Sequence, residues 1–571
     1  MARAPQTCRS SVALMAAVLA TAAFGVGFHY RWFPLGVPGE LEAPRLGTWD
    51  VPVASWPAML PAVVVAVAMA AFVVWSLGWI GSARRQAFIL SLVGCVALGG
   101  VFQFFLEIAA PYGLQKWAVL HHGARAAARL KFNDVSGVLQ NHALVAEELE
   151  PNHVSANPAG WIVIYRALLS FFDGHPRLAQ AVWDLEPHEI AWALQQNFPT
   201  PLPDQAAIAV VALLSRLAAV AVGLPVAWLA RQRFGRSAAL AACAMANLVP
   251  AVPLLAPAVD TVYPTFAALI VALSYFASER RSTRAAGAAG GLVAVGMFFS
   301  LCFLVVAGLC GLMVALRAVA GHRPTVRSML AAGSAWLAVV ALFAATLDHR
   351  VWESWSINLA KNHEFNANCG CSYGVWVGVN LLELAVAMGI PATVFLLFSL
   401  PLPTGEGRGE GTSPGRQIQP FSNRPHPRGE PNSPSNRPHP SPLPEGEGTT
   451  VRRPQSMALV AAWLAIVVCL DLSGTNRGEV SRLWLFLMPL GAALAAEWLD
   501  TASRRGRAVL GMLLLLQAFN CVLLARELVL LWPSAPRQIQ EQYLGRPGGK
   551  WASYRRLSDE EIRRRRDEAS K

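Results

Sequence analysis

Residues 455–470, QSMALVAAWLAIVVCL, and residues 483–499, LWLFLMPLGAALAAEWL, are two apolar runs separated by the polar island DLSGTNRGEVSRLW, residues 471–484. Each run reads as a membrane helix, because a bilayer core of about 30 Å selects uninterrupted apolar stretches. The island between them carries Asp471, Arg477, Glu479 and Arg482 together with Asn476. Charges packed this densely beside a bilayer are costly unless they face headgroups and water or are held by partners in an internal cavity. The pattern therefore indicates a helical membrane protein and marks the island as a candidate for function.

The rest of the chain repeats the apolar pattern. Of its 571 residues 54% are hydrophobic and 14% charged, outside the balance of a soluble globular protein. Spans are expected near 11–30, 57–82, 87–109, 205–230, 237–258, 262–278, 327–346, 374–400, 455–470, 483–499 and 508–531. Residues 285–318 are long for one helix and short for two. Arginine clusters flank the spans at Arg84–Arg85, Arg231–Arg236, Arg280–Arg284, Arg323–Arg327 and Arg452–Arg453. Placing them all in the cytoplasm makes 285–318 a short hairpin and gives about thirteen crossings. The fold class expected is an all-α polytopic bundle. That count leaves the tail with Arg563–Arg566 outside. The net charge of +12 reads as topology and contact with lipid headgroups, with no basic, aromatic-rich soluble domain to bind nucleic acid. Residues 11–30 are expected to be an uncleaved first helix, since the apolar run continues past Ala22 and Ala23 to Phe28, with Trp32 as interfacial anchor.

The organisation expected is a core of residues 1–400 with external loops 110–204 and 347–373. An insert of residues 401–454, helices over 455–531 and a polar tail of 532–571 follow. Within the insert, SNRPHP recurs at 422–427 and 435–440, and proline and glycine at this density cannot build a core. It reads as a disordered cytoplasmic loop, resembling translated dispersed repeats. Most of the nine cysteines lie in apolar spans as packing residues, and none has zinc-site spacing.

Loop 110–204 is long for a membrane bundle and contains Asp134, Arg166 and Asn157-Pro158-Ala159-Gly160. Its apolar stretch 159–172, interrupted by Arg166, is expected to form an interfacial or re-entrant helix. Asp260 lies in the turn PAVDTVYP, residues 257–264, and His363 and Glu364 lie in the loop 347–373. Asn380 and Glu383, three positions apart in the next apolar helix, share one face and should look into the bundle.

This arrangement resembles the GT-C superfamily of multi-spanning glycosyltransferases that use polyprenyl-phosphate sugars. The stretch LSGTNRGEVSRLWL, residues 472–485, resembles a motif of bacterial membrane proteins near its mannosyltransferase-like members. The resemblance covers most of the chain outside residues 401–450 and about the last 35. It implies a multi-pass protein of the bacterial inner membrane, a polyprenyl-phosphate-linked sugar as donor, membrane lipids around it, and a lipid or cell-envelope glycan as acceptor. The acidic pair that many members carry after the first span is missing, so the catalytic loop is expected after the third crossing.

Sugar transfer needs a carboxylate to take the acceptor's proton and cationic groups to hold the departing phosphate. Asp134 is the first expected base and Asp260 the second. Arg477 and Arg482 are the expected phosphate ligands, with Asn476 in the same run and His363 assisting, while Glu479 orients Arg482. A divalent ion through Asp134 and Asp260 stays open. The competing reading is a secondary transporter or lipid flippase, kept alive by Pro250, Pro253 and Pro257, which break one span.

Overall fold

The computed structural model describes residues 6–30, 32, 36–37, 41–42, 54–110, 113–116, 122–149, 155–187, 190, 201–322, 324–347, 349, 351–368, 372–399, 457–474, 480–496, 499 and 501–528. Its helices are α1 (Gln6–His29), α2 (Trp56–Leu77), α3 (Arg85–Ala109), α4 (His122–Leu130), α5 (Val135–Glu148), α6 (Gly160–Gly174) and α7 (Pro176–Asp184). There follow α8 (Leu202–Ala221), α9 (Gly223–Phe234), α10 (Arg236–Asn247), α11 (Ala251–Leu255), α12 (Tyr263–Arg280), α13 (Thr283–Phe299), α14 (Cys302–Val319) and α15 (Val326–Leu347). The chain continues through α16 (Val351–Asn368), α17 (Tyr373–Met388), α18 (Ile390–Ser399), α19 (Met457–Ser473), α20 (Val480–Leu483), α21 (Met488–Ala496) and α22 (Arg504–Glu527). Among the described residues the extended structure is a two-residue pair, Gly36–Val37 against Leu41–Glu42. The insert 401–454 and the tail 532–571 lie outside the described residues.

The fold is all-helical, with eight helices long and apolar enough to cross a membrane among the described residues, or nine if one bent pair forms a single span. The sequence reading of about thirteen crossings counted shorter pieces as well. Three of these are the seventeen-residue α13, the seventeen-residue α19 and the stretch Leu485–Ala496. α10 has twelve residues and rises about 18 Å, well short of the hydrocarbon thickness. Its residues Ala238–Asn247 are buried on every side, so it is walled by protein and not by lipid.

Two helices stop inside the bundle, and side chains from neighbours take up the freed backbone groups. α10 ends at Asn247, whose carbonyl accepts from Gln103 Nε2 (3.1 Å), while the next carbonyl, Leu248, accepts from the Cys521 thiol (3.1 Å). The stretch 374–400, expected as one span, is bent by 107° between α17 and α18. Gly389 makes the corner at φ +104°, where an L side chain is strained. The Gln517 amide fills the corner: Nε2 donates to the Met388 carbonyl (2.6 Å) and Oε1 accepts from Ala392 N–H (3.3 Å). Irregular backbone at membrane depth persists only where protein satisfies it in this way.

Among the described residues the clustered arginines gather at one end. Arg231 and Arg236 lie over the Phe88 ring beside the α2–α3 turn, and Arg236 donates to the Ala83 carbonyl. Arg505 at the start of α22 donates to Ser11 near the start of α1 (2.8 Å), and Arg317 pairs with Glu279 beside Arg280. At the other end His29 meets Glu527 (3.0 Å) and Arg526 donates to the Ala54 carbonyl (3.0 Å).

Helices α4–α7 and the start of α8 have their own apolar core, including Val138, Ile162, Tyr165, Leu169, Phe172 and Ile208. α6, expected at the interface, is the central helix of this unit, with Ile162, Tyr165 and Leu169 inside. Its first turn abuts the bundle: a Cβ at Gly160 would stand 2.6 Å from the Phe298 carbonyl, and Trp161 packs on Phe299. Residues 285–318 form two helices, α13 and α14, with their turn at Ser300 against this unit.

Candidate functional site

The short turn Val259–Val262 opens α12 and is held to α8 by Thr261, whose Oγ1 donates to the Ser215 carbonyl (3.4 Å) and to Ala258 O (2.7 Å). This fixes Asp260 at the lip of the bundle. Arg482, 222 positions later on α20, places its Nε 2.9 Å from Asp260 Oδ2. The Asp260 and Arg482 side chains are 24% and 21% exposed, so the pair is only partly enclosed. Tyr263 is close enough to interact with both charges, and its hydroxyl accepts from Trp161 Nε1 (2.8 Å) and donates to the Phe299 carbonyl (3.3 Å). The α4–α7 unit thus touches the site through Trp161.

α17 holds the polar island from the other side. Asn380 Nδ2 donates to Asp471 Oδ1 (3.2 Å), both side chains being buried, and Glu383 Oε2 accepts from Val480 N–H (3.2 Å). Two turns before Asn380, the Tyr373 hydroxyl donates to the Leu472 carbonyl (2.8 Å). The shared face of Asn380 and Glu383 read from their spacing is therefore the face that holds Asp471 and Val480.

A second ion pair lies one hydrogen bond away along the backbone. Ser215, which receives Thr261, precedes Arg216, and Arg216 Nη1 stands 3.0 Å from Glu107 Oε2 with the carboxylate fully enclosed. Arg216 was not singled out in the sequence. A lone arginine within the apolar run 205–230 should have called for a carboxylate partner, and Glu107 at the end of α3 was the nearest one in the topology.

Asp134 stands elsewhere. Its carboxylate caps α5, accepting from Gly137 N–H (2.6 Å), and it contributes to the field around Arg166. Among the described residues nothing ties it to Asp260 or Arg482. The charges around it form a clasp: Asp204 receives Arg125 (2.7 Å) and Arg129 (2.9 Å), and Arg129 also grips Asp173 (2.8 Å). Asp204, fully buried in the first turn of α8, places its negative charge where the helix dipole favours it, and so locks the α4–α7 unit to a spanning helix. Burial lowers the Arg166 pKa and Arg129 beside it does the same, while Asp173, Asp134 and Asp204 oppose.

His363 is exposed on α16, between Lys361 and Glu364 in the chain, which pair at 3.5 Å. Arg477, Asn476 and Glu479 lie outside the described residues. A cluster missed in the sequence joins α5 to α16. His142 Nδ1 meets Ser354 Oγ (2.9 Å), His349 Nδ1 meets the Leu139 carbonyl (2.8 Å), and Asn358 donates to the Ser155 carbonyl (2.7 Å). Burial and the neighbouring His349 push the His142 pKa down from 6.5 to about 3, a hydrogen bond to the Asn157 backbone opposing them. No group of three or more His, Cys, Asp or Glu among the described residues could hold a metal ion. Compared with known proteins, the chain matches no family model, no curated protein and no solved structure.

Proposed function

We propose that this protein is a glycosyltransferase of the GT-C kind, moving a sugar from a polyprenyl-phosphate donor to a lipid or cell-envelope glycan acceptor. The reaction takes place at the end of the bundle that carries Asp260. The observation that carries this reading is the half-buried Asp260–Arg482 pair, which joins a carboxylate and a guanidinium from distant parts of the chain at the lip of a membrane bundle. In the resting protein each neutralises the other. A donor phosphate offers Arg482 a second acceptor, for which its planar fork is suited, and frees the carboxylate. Asp260 then takes the proton of the attacking acceptor hydroxyl, and Arg482 stabilises the charge that grows on the leaving phosphate. Asp134, committed to its helix cap, supports α5. The reading carries with it about thirteen crossings, short helices included, in a bacterial inner membrane.

Membranes containing the protein, supplied with radiolabelled polyprenyl-phosphate sugar, test it directly. Asp260→Asn is expected to lower transfer by a factor on the order of 10²–10⁴ with donor binding nearly kept. Arg482→Ala is expected to weaken donor binding as well. Transfer by Asp260→Asn at the wild-type rate would exclude this base.

A second reading, a transporter or flippase, draws on the bent α17–α18 pair and the interrupted α10–α11, since broken helices line many transport sites. It predicts movement of label across sealed vesicles with no transfer to an acceptor.

A further inference from the structure

At the basic end, α12–α15 enclose a cavity of about 720 Å3, within the range that takes a drug-sized or lipid-chain ligand. Its walls are small apolar residues of α12, α13 and α14, with Met329 and Trp336 of α15 opposite. Gly311 and Ala315, on its α14 side, are exposed to the outside of the bundle, so the cavity opens sideways toward lipid. Ser278 lines it near the basic end, and behind Ser278 stands Arg317, fully buried. Arg317 Nε donates to Ser278 Oγ (3.1 Å), its Nη2 pairs with Glu279, and its Nη1 has no hydrogen-bond partner among the described residues. Residues 263–347 contain six arginines and one carboxylate, Glu279. Arg284 and Arg327 are exposed, and each lies within two positions of a residue that lines the cavity, Ala286 and Ser328.

We infer that this cavity binds one acyl chain of an anionic glycerophospholipid from the leaflet at the basic end, its phosphate held by Arg284 and Arg327. An apolar cavity open to lipid fills with chain, since an empty one forfeits contacts on every wall. The excess of arginine selects the headgroup: each basic residue near the surface favours an anionic lipid, and with Arg317 paired to Glu279 the other five arginines of this segment have no carboxylate within it to offset them. Exposed arginines at a helix end follow from topology alone; a buried arginine behind a chain-sized cavity does not.

The test uses the purified full chain in detergent, with phosphatidylglycerol or phosphatidylcholine added, and counts bound lipid by native mass spectrometry. The wild type is expected to retain one phosphatidylglycerol, bound about tenfold or more tighter than phosphatidylcholine. In Gly311→Leu/Ala315→Leu the cavity is filled, and a Cβ at Gly311 meets nothing within 4 Å, so the fold is kept while the retained lipid is lost. In Arg284→Gln/Arg327→Gln the preference between the two lipids is expected to vanish. Equal retention of both lipids by the wild type overturns the inference. So does undiminished retention by a filled variant that unfolds at the wild-type temperature; should that variant misfold, the arginine pair decides.

Discussion

At the scale of single residues, His142 shows how burial becomes a pH dependence. Its folded pKa, about 3, lies below the ordinary 6.5, so the neutral ring belongs to the folded state and the unfolded chain binds the extra proton. The resulting stability is complete above about pH 6.5 and is lost progressively as the pH falls toward 3. His349, also lowered by burial, acts in the same direction. Hydrogen-exchange protection of Val135–Glu148 and of the start of α16, measured relative to the intrinsic rate at each pH, should therefore fall between about pH 7 and about pH 5, and His142→Gln should flatten that response. Identical protection at both pH values would remove the argument. The pairing of His142 with Ser354 across 212 positions was closed to sequence reading, because both residues are ordinary in loops and nothing local marks them as buried. Asn380 and Glu383 were legible because helix periodicity alone puts them on one face, and a carboxylate in an apolar helix needs a protein partner. Asp260 and Arg482 were each legible as polar groups at a membrane boundary, and their contact was not.

At the scale of elements, the corner between α17 and α18 was read as one continuous span. A lone glycine in an apolar run is tolerated in a straight helix, so Gly389 carries no signal without Gln517, 128 positions away. In the fold the two are complementary. A Cβ at Gly389 would overlap the Gln517 amide, and the positive φ is strained for any other residue. Gly389→Ala is expected to cost about 1–3 kcal/mol. Gln517→Leu strips partners from the Met388 carbonyl and the Ala392 N–H and should cost a similar ~1–3 kcal/mol. Since both changes damage one contact, the double variant should lose less than the sum of the two. Unfolding in detergent measures all three, and strict additivity would show that Gln517 does not support the corner.

At the scale of the whole molecule, the grouping of the arginines was more legible than the number of crossings. The charge penalty acts on every arginine cluster alike, so their grouping can be read from the chain. Counting spans relies on a lipid environment that buried pieces such as α10 never meet, and there the length rule loses its force. The contacts arrange the clusters consistently. Arg231 and Arg236 adjoin the α2–α3 turn, Arg317 meets Glu279, and the α13–α14 turn presses on α6 of the α4–α7 unit. Arg236, Arg284 and Arg327 thus belong to the end opposite α4–α7, and the positive-inside bias predicts that this end faces the cytoplasm. Reporters inserted after each of the three should report cytoplasm, and reporters within residues 130–150 the exterior. A reporter after Arg327 that faced outward would require one helix of the α13–α14 pair not to cross. It would then carry Asp260 and the α17 grip on the polar island to opposite membrane faces, and the site built from Asp260 and Arg482 could not exist in the folded membrane protein.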